Sequence, residues 1–224
     1  MLVRLVNSKL CFADDGRKTI TLFDGCIKQK ANNYANYGTF TKLTPGNVYS
    51  FSFKATDSFS LYLRDKKDSN VKFKVNGKES SVLNVNSGDN TYKIEVLSDT
   101  YILRVVDNTT TDVYIVVTTK ARSLTRTLMG QQINAPAMSS GFVDYELTNA
   151  LSANDSVVME ISSEQPNFKL IFKNSNKDTI SYTELFNPYF NYGIVSTQDI
   201  KYVRVTDNTD YPVNIKFYKI KLEL

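Results

Sequence analysis

The chain has 224 residues, 42% of them hydrophobic and 22% charged, with a formal net charge of +4 and no histidine. This composition excludes wholesale disorder, and without histidine the usual general base, the commonest zinc ligand and the Ser-His and Cys-His pairs are missing. The positive charge is scattered, with short clusters such as Lys66-Lys67. It therefore predicts a solvated surface and no nucleic-acid binding.

The opening residues are not expected to form a targeting signal. Residues 1–10 alternate with charged residues and lack the continuous apolar stretch of a secretory signal peptide. No run reaches the roughly eighteen apolar residues of a membrane span. A soluble protein without a membrane span is expected.

Residues 1–37 are predicted to form an arm ahead of the first domain. Strands over 2–12 and 19–23 flank a turn at 13–16, and Asp24-Gly25 is typical of a tight type I′ turn. The polar and aromatic segment 28–38 has no period and is expected to be a loop or a ligand-facing rim. These turns would place Cys11 near Ile20 and Cys26 near Phe23, so buried free thiols are predicted rather than a disulfide.

From Thr39 to residue 119 the sequence alternates like a sandwich of about eight strands. Pro45-Gly46 predicts a turn, and Asn76-Gly77 is the strongest hairpin signal in the chain. The first domain is therefore assigned to residues 1–119, the arm included.

The period changes over residues 120–140. Ala121, Leu124, Leu128 and Met129 fall at helical spacing and predict one short amphipathic helix. The small residues and Pro136 that follow are typical of an extended linker. The second sandwich domain is assigned to residues 141–224.

One motif occurs twice at a spacing of 100 residues. Residues 103–117 and 203–217 share Arg-Val-x-Asp-Asn-Thr, including Arg104 and Arg204, and each reads as a β-hairpin. The Asp-Asn-Thr turns could offer oxygen ligands to calcium, but the next acidic residue lies at a different offset in each copy. Turn chemistry is the preferred interpretation. Both arginines alternate with apolar residues and are expected on the surface, in cross-strand ion pairs.

Two aromatic clusters are the best binding candidates. Tyrosine and phenylalanine rings can stack on a sugar or fill a partner's pocket, and neighbouring asparagines can bond hydroxyls. The alternative is that the rings pack the sandwich ends. The candidate ligand or partner-binding residues are Tyr34, Tyr37, Phe186, Tyr189, Phe190, Tyr192, Asn187 and Asn191.

Catalysis is not expected. Glu160 and Glu184 belong to no motif that would fix their separation, as glycoside hydrolysis requires. The sequence has no glycine-rich phosphate loop, no Gly-x-Ser-x-Gly and no metal-ligand spacing. We expect no enzyme activity, no cofactor and no metal.

The segment Phe40 to Phe53, with Leu-Thr-Pro-Gly leading into Tyr-x-Phe-x-Phe, resembles the early strands of jelly-roll carbohydrate-binding modules. The residues from Val213 to Leu224 are similar to the last strand of those modules. The resemblance implies an all-β fold of two tandem antiparallel β-sandwich, jelly-roll-like domains, joined by the linker and its short helix. It also implies an alternative function, recognition of a cell-surface or polymeric glycan, with an extracellular or cell-surface location.

The organisation as a whole resembles a structural or attachment protein of a tailed-bacteriophage virion: two related sandwiches, an arm and a long connector. This resemblance implies a non-enzymatic role in a multi-copy assembly within the virion. The expected partners are other virion proteins or further copies of the chain, with a host-surface glycan as a further possibility. Deletion of residues 1–37 is expected to leave both domains folded.

Overall fold

The computed structural model describes residues 3–6, 9–12, 16–28, 33–107, 112–164, 167–185 and 189–224. Across these ranges the regular structure is twenty β-strands and no helix, and every strand pairing is antiparallel. The expected all-β, antiparallel class is confirmed. Within the same ranges there is no helix long and apolar enough to cross a membrane.

A hairpin comes first, and ten further strands follow it; we call these ten the first half. The hairpin strands are β1 Val3–Val6 and β2 Lys9–Phe12. The first half comprises β3 Lys18–Lys28, β4 Asn33–Leu43, β5 Val48–Ala55, β6 Phe59–Arg64, β7 Phe73–Val75, β8 Lys78–Ser80, β9 Leu83–Val85, β10 Gly88–Val96, β11 Thr100–Asp107 and β12 Asp112–Ala121.

The remaining eight strands form the second half. They are β13 Ser123–Ala135, β14 Val143–Leu151, β15 Val157–Ser163, β16 Phe168–Lys173, β17 Thr179–Leu185, β18 Tyr189–Ile194, β19 Ile200–Thr206 and β20 Val213–Glu223.

Each half contains two sheets, and the strand order repeats. The first half has the orders β3-β12-β5-β10-β7-β8 and β4-β11-β6-β9, and the second has β13-β20-β15-β18 and β14-β19-β16-β17. Apart from the added β7-β8 hairpin, both halves therefore order eight strands as 1-8-3-6 and 2-7-4-5. The repeated arginines lie in β11 and β19, which occupy the same place in this order.

The alternating sequence explains why these segments are strands. Tyr49, Phe51 and Phe53 of β5 are buried while their neighbours are more exposed, as the two-residue period of a half-buried strand requires. Most buried hydrophobic residues of both halves belong to one hydrophobic cluster. The Pro45-Gly46 turn is confirmed, as is the Asn76-Gly77 hairpin, in which both central residues have positive φ, 51° and 78°.

The helix expected within residues 120–140 is wrong. Ser123–Ala135 is a strand that pairs with Val213–Glu223 and opens the second half. The register shifts between Leu128 and Gln132, around Gly130 with φ of 69°. This bulge changes which residues face the core, so the two-residue period is interrupted and the apolar spacing imitates a helix. Whether the halves are separate domains with the assigned boundaries stays a prediction.

The arm is also different from the prediction. Asp24 and Gly25 are not a turn; they lie inside β3, opposite Val116 and Ile115. The expected loop over 28–38 is a strand from Asn33 onward. Cys11 lies opposite Arg4 in the β1-β2 hairpin. Cys26 lies opposite Tyr114, because long-range pairing of β3 with β12 overrides the local turn signal.

The second copy of the repeated turn has a structural use. Asp207 has a φ of 65°, and the side chain of Asn208, which is 2% exposed, donates from Nδ2 to the Pro136 carbonyl at 2.7 Å. The Asn208 carbonyl accepts from the Met138 amide at 3.0 Å. The turn therefore fastens the connection between β13 and β14. In the first copy, residues 108–111 lie outside the described residues.

Candidate binding cleft

The two halves meet where strands β4 and β18, each at the edge of its sheet, cross. At the crossing the backbones of Gly38 and Gly193 approach so closely that a Cβ on either would overlap backbone atoms of the opposite strand. Only glycine fits at such an approach. Beside it, the hydroxyls of Thr41 and Ser156 lie 3.1 Å apart and share a hydrogen bond between the halves.

Aromatic rings from both halves surround this crossing. Tyr37 is 3% exposed, and its ring centroid lies 6.2 Å from that of Phe23 and 6.1 Å from that of Tyr192. Burial raises the pKa of the Tyr192 phenol, and a hydrogen bond with the Thr183 side chain acts in the opposite direction. Tyr37 and Tyr192 are therefore packing residues of the junction.

A cleft of about 700 Å³ opens beside the crossing, between β4 and β17. We call it the cleft; its volume lies within the range of about 300–1,000 Å³ that is usual for small-molecule sites. Tyr34 and Tyr182 line it and are 52% and 66% exposed. A smaller cavity of about 260 Å³ shares Lys66, Val195 and Ser196 with the cleft.

The Tyr34 ring is held from one side by a cluster of charged and amide groups. Arg104 places its guanidinium carbon 3.9 Å from the ring centroid. The same guanidinium donates to Asn36 Oδ1 at 2.7 Å and to Asp68 Oδ2 at 2.6 Å. Stacking on a fixed guanidinium holds the ring as a rigid surface at the cleft.

The cleft carries two lysines without an acidic partner. Asp68 pairs with Arg64 and Arg104, and Glu184 pairs with Lys169 at 3.3 Å. In the smaller cavity, Lys42 pairs with Asp99 and Asp155 with Lys219, both at 2.8 Å. Of the charged side chains that line either cavity, Lys66 and Lys67 alone make no ion pair with any described residue.

The residues expected to bind a ligand or partner do not all lie together in the part of the chain that the structure describes. Tyr34, Tyr37 and Tyr192 line one cleft, although the sequence placed them in two clusters. Tyr189 and Phe190 belong to strand β18 and not to a loop, opposite Ser162 and Ile161. Phe186 and Asn187 lie outside the described residues.

Asn191 lies away from the cleft. Its Oδ1 accepts from Arg126 Nη2 at 3.1 Å, and the same nitrogen donates to Glu160 Oε2 at 2.9 Å. The surface that Asn191 shares with Arg126 and Glu160 is exposed.

Sequence analysis missed Tyr182, Thr183 and the role of Lys66-Lys67 in the cleft. Tyr182 alternates with the buried Thr183, so its outward position in a strand was readable. The contribution of Lys66 and Lys67 depends on how the two halves meet, which no local pattern encodes. Within the described ranges, no three His, Cys, Asp or Glu side chains are grouped as metal ligands.

No known protein family and no curated protein matches the chain. Among solved structures, the PBSX exported protein XepA is similar with a TM-score of 0.32 and 9% identity, covering 96% of this chain and 91% of that one. A conserved protein of unknown function from Pseudomonas aeruginosa PAO1 has a TM-score of 0.26 and 10% identity, covering 88% and 99%. The VP2 subviral particle of infectious bursal disease virus has a TM-score of 0.26 and 9% identity, covering 95% and 74%. At TM-scores below 0.5, these likenesses carry no conclusion about this chain.

Proposed function

We propose that the protein is a non-enzymatic structural or attachment component of a phage virion, built of two tandem jelly rolls and acting through protein contacts in a multi-copy assembly. The repeated strand order supports the jelly-roll part of this proposal. The orders 1-8-3-6 and 2-7-4-5 match those expected of eight strands in two sheets linked by Greek-key connections, as in a jelly roll.

The observation that carries the assembly role is the hairpin β1-β2. Among the described residues it pairs with no other strand, and its register sets Val3 opposite Phe12 and Leu5 opposite Leu10. A two-stranded hairpin alone is marginally stable in water and requires another surface to pack on. A neighbouring subunit would supply that surface.

The junction of the halves suits such a role. The two halves are connected at several points: the Gly38–Gly193 crossing, the Tyr37–Tyr192 contact and the Thr41–Ser156 hydrogen bond. A subunit whose halves are fixed in this way can carry a hairpin to a neighbour without losing its own geometry.

Deletion of residues 1–12 tests this function. The truncated protein should keep its melting temperature but lose incorporation into particles and self-association, measured by light scattering and by competition with the full chain during particle assembly. Truncation at residue 37 is the control, and the structure changes the expected result from a folded to an unfolded first half. It removes β3 with the fully buried Leu22 and Phe23, so the first half should unfold. Full incorporation of the 1–12 deletion would refute the proposal.

A second candidate function is carbohydrate binding, favoured by the two exposed rings, Tyr34 and Tyr182, in one cleft. A glycan array probed with the wild-type protein and with Tyr34→Ala and Tyr182→Ala tests it. Tyr211→Ala is a matched control, because Tyr211 is 41% exposed and does not line the cleft. If glycan binding is unchanged by both Tyr34→Ala and Tyr182→Ala, the cleft is not the carbohydrate-binding site.

A further inference from the structure

We propose that the cleft between the halves binds a polymeric acidic glycan, with Tyr34 and Tyr182 as the surfaces on which sugar rings stack and Lys66 and Lys67 as the groups that bind its carboxylates. This inference rests on the carbohydrate-binding candidate and adds the charge and the length of the ligand.

The two tyrosines present ring faces at fixed positions. Arg104 covers Tyr34 at 3.9 Å, and the Lys169 ammonium lies 5.6 Å from the centroid of Tyr182. Both rings remain more than half exposed despite these contacts. A ring held from one side loses little conformational freedom when a sugar stacks on it, which favours binding.

The charge of the ligand follows from the pairing of the cleft residues. Asp68 and Glu184 are already neutralised by basic partners, whereas Lys66 and Lys67 have no acidic partner in the described part of the chain. The unpaired charges among the residues that line the cleft are therefore positive, which favours an anionic ligand. A lysine ammonium binds a carboxylate through a short, charge-assisted hydrogen bond.

The length of the ligand is inferred from the residues that the two cavities share. Lys66 and Ser196 line both the cleft and the smaller cavity, so one chain of sugars can run from one into the other past the same lysine. Asn154 lines the second cavity, is exposed and offers a side-chain amide for hydrogen bonds. A polymer would use both cavities, whereas a single sugar would use one.

The test uses the full chain and a panel of uronate- and sialate-containing oligosaccharides, each paired with its carboxyl-reduced counterpart. We expect at least one acidic glycan to bind about tenfold more tightly than its reduced counterpart, by calorimetry. The double variant Lys66→Ala/Lys67→Ala should lose that preference, and added salt should weaken binding of the wild type. Lys54→Ala/Lys78→Ala, which removes two exposed lysines outside both cavities, should bind like the wild type.

The outcomes separate the two claims. Equal binding of acidic and reduced glycans, still dependent on Tyr182, would overturn the charge inference and leave carbohydrate binding standing. Binding of no glycan would overturn both. Binding of an extended peptide in the cleft, unaffected by the lysine substitutions, would overturn the glycan inference in favour of strand addition at the edges of β4 and β17.

Discussion

The two halves of the molecule hold the same arginine in different ways. In the first half, Arg104 donates to Asp68, which lies in the turn after β6, and stacks on Tyr34. In the second half, Arg204 donates to Asp144 of strand β14 at 2.6 and 2.9 Å and stacks on Phe142 at 3.3 Å. The carboxylate that pairs with the arginine therefore comes from a turn in the first half and from a neighbouring strand in the second half. The arginine and the aromatic ring that it stacks on are present in both halves.

The turns that follow β6 and β16 show how closely the surroundings correspond. Asp65 Oδ1 accepts from the amides of residues 67 and 69, and Asn174 Oδ1 accepts from those of residues 176 and 178. The fourth residue of each turn, Asp68 or Lys177, has positive φ, 64° and 65°. The backbone conformation of this turn is therefore the same in both halves, although its fourth residue is acidic in the first half and basic in the second.

The strand order determines where the guanidinium of each arginine lies. The guanidinium carries several N–H donors, so a carboxylate on either side of it can accept its hydrogen bonds. In the first half Asn36 occupies the strand position opposite Arg104, as Asp144 does opposite Arg204. One acid near each arginine is sufficient, so its position could change between the halves. The difference in burial sets the energetics: the Asp144 side chain is 14% exposed and that of Asp68 44%.

The largest effect is expected where the halves touch. Gly193→Ala would place a methyl group on the Thr39 backbone and force the junction apart. We expect a loss of about 3 kcal/mol or more in the free energy of unfolding, since backbone cannot move aside as a side chain can. Gly46→Ala is the control, because its φ of 76° strains alanine but nothing lies within 4 Å of the added carbon. A Gly193→Ala loss no larger than that control, by urea denaturation, would contradict the crossing.

Replacing the acid should distinguish the halves. Asp144→Asn leaves Arg204 and the nearly buried Lys173 without a carboxylate and should cost about 2–3 kcal/mol. Asp68→Asn is the matched change; it should cost about 1 kcal/mol or less, because the pair is more exposed. Asparagine also tolerates the positive φ at residue 68. Equal losses in chemical denaturation would show that burial does not set the difference.

The same comparison predicts a pH dependence. Hydrogen bonds from Arg204 hold the pKa of the Asp144 carboxyl below its ordinary value of 3.8. Because the folded pKa lies below the unfolded one, its stabilisation is complete above the unfolded value and is lost as pH falls through the folded value. The stability difference between the wild type and Asp144→Asn should stay constant from pH 7 to 5 and shrink below about pH 4. A constant difference down to pH 2.5 would be inconsistent with this linkage.

Local chemistry made part of the fold predictable. The alternation in β5 and the turns at Pro45-Gly46 and Asn76-Gly77 depend on residues next to one another, and the structure has them as expected. The turn predicted at Asp24-Gly25 is wrong, because the ten residue pairs that β3 forms with β12 outweigh one local turn preference. The Gly130 bulge concealed β13 for a similar reason, since only its pairing with β20 defines the strand.

The candidate site was predictable in its residue types and not in its assembly. Tyr34 and Tyr192 stood out as aromatic residues among amides, but nothing local shows that they line one cleft. The informative signal was Gly38 and Gly193, since a glycine within a strand often marks a close backbone approach. Which two strands approach is a property of the tertiary fold.

Moving the acid in the first half tests whether the two arrangements are interchangeable. Asn36→Asp combined with Asp68→Asn gives Arg104 an acid at the strand position that Asp144 has in the second half. Arg104 Nε already donates to Asn36 at 2.7 Å, so the new carboxylate needs no rearrangement. The double variant should recover most of the roughly 1 kcal/mol lost by Asp68→Asn. Asn36→Asp alone is the control, and a double variant no more stable than Asp68→Asn would show that the positions are not equivalent.

The smallest expected effect concerns the rings beneath the arginines. Phe142→Leu keeps an apolar side chain but removes the ring face under Arg204, and should cost about 0.5–1 kcal/mol. A double-mutant cycle with Arg204→Lys isolates the contact, because lysine keeps the charge but lacks the planar group that stacks. Tyr34→Leu with Arg104→Lys is the matched cycle in the first half, where the guanidinium lies farther from the ring. The coupling energy should therefore be larger for the Phe142–Arg204 pair than for the Tyr34–Arg104 pair. The reverse order would mean that contact with the ring does not explain why both halves have an arginine at this position.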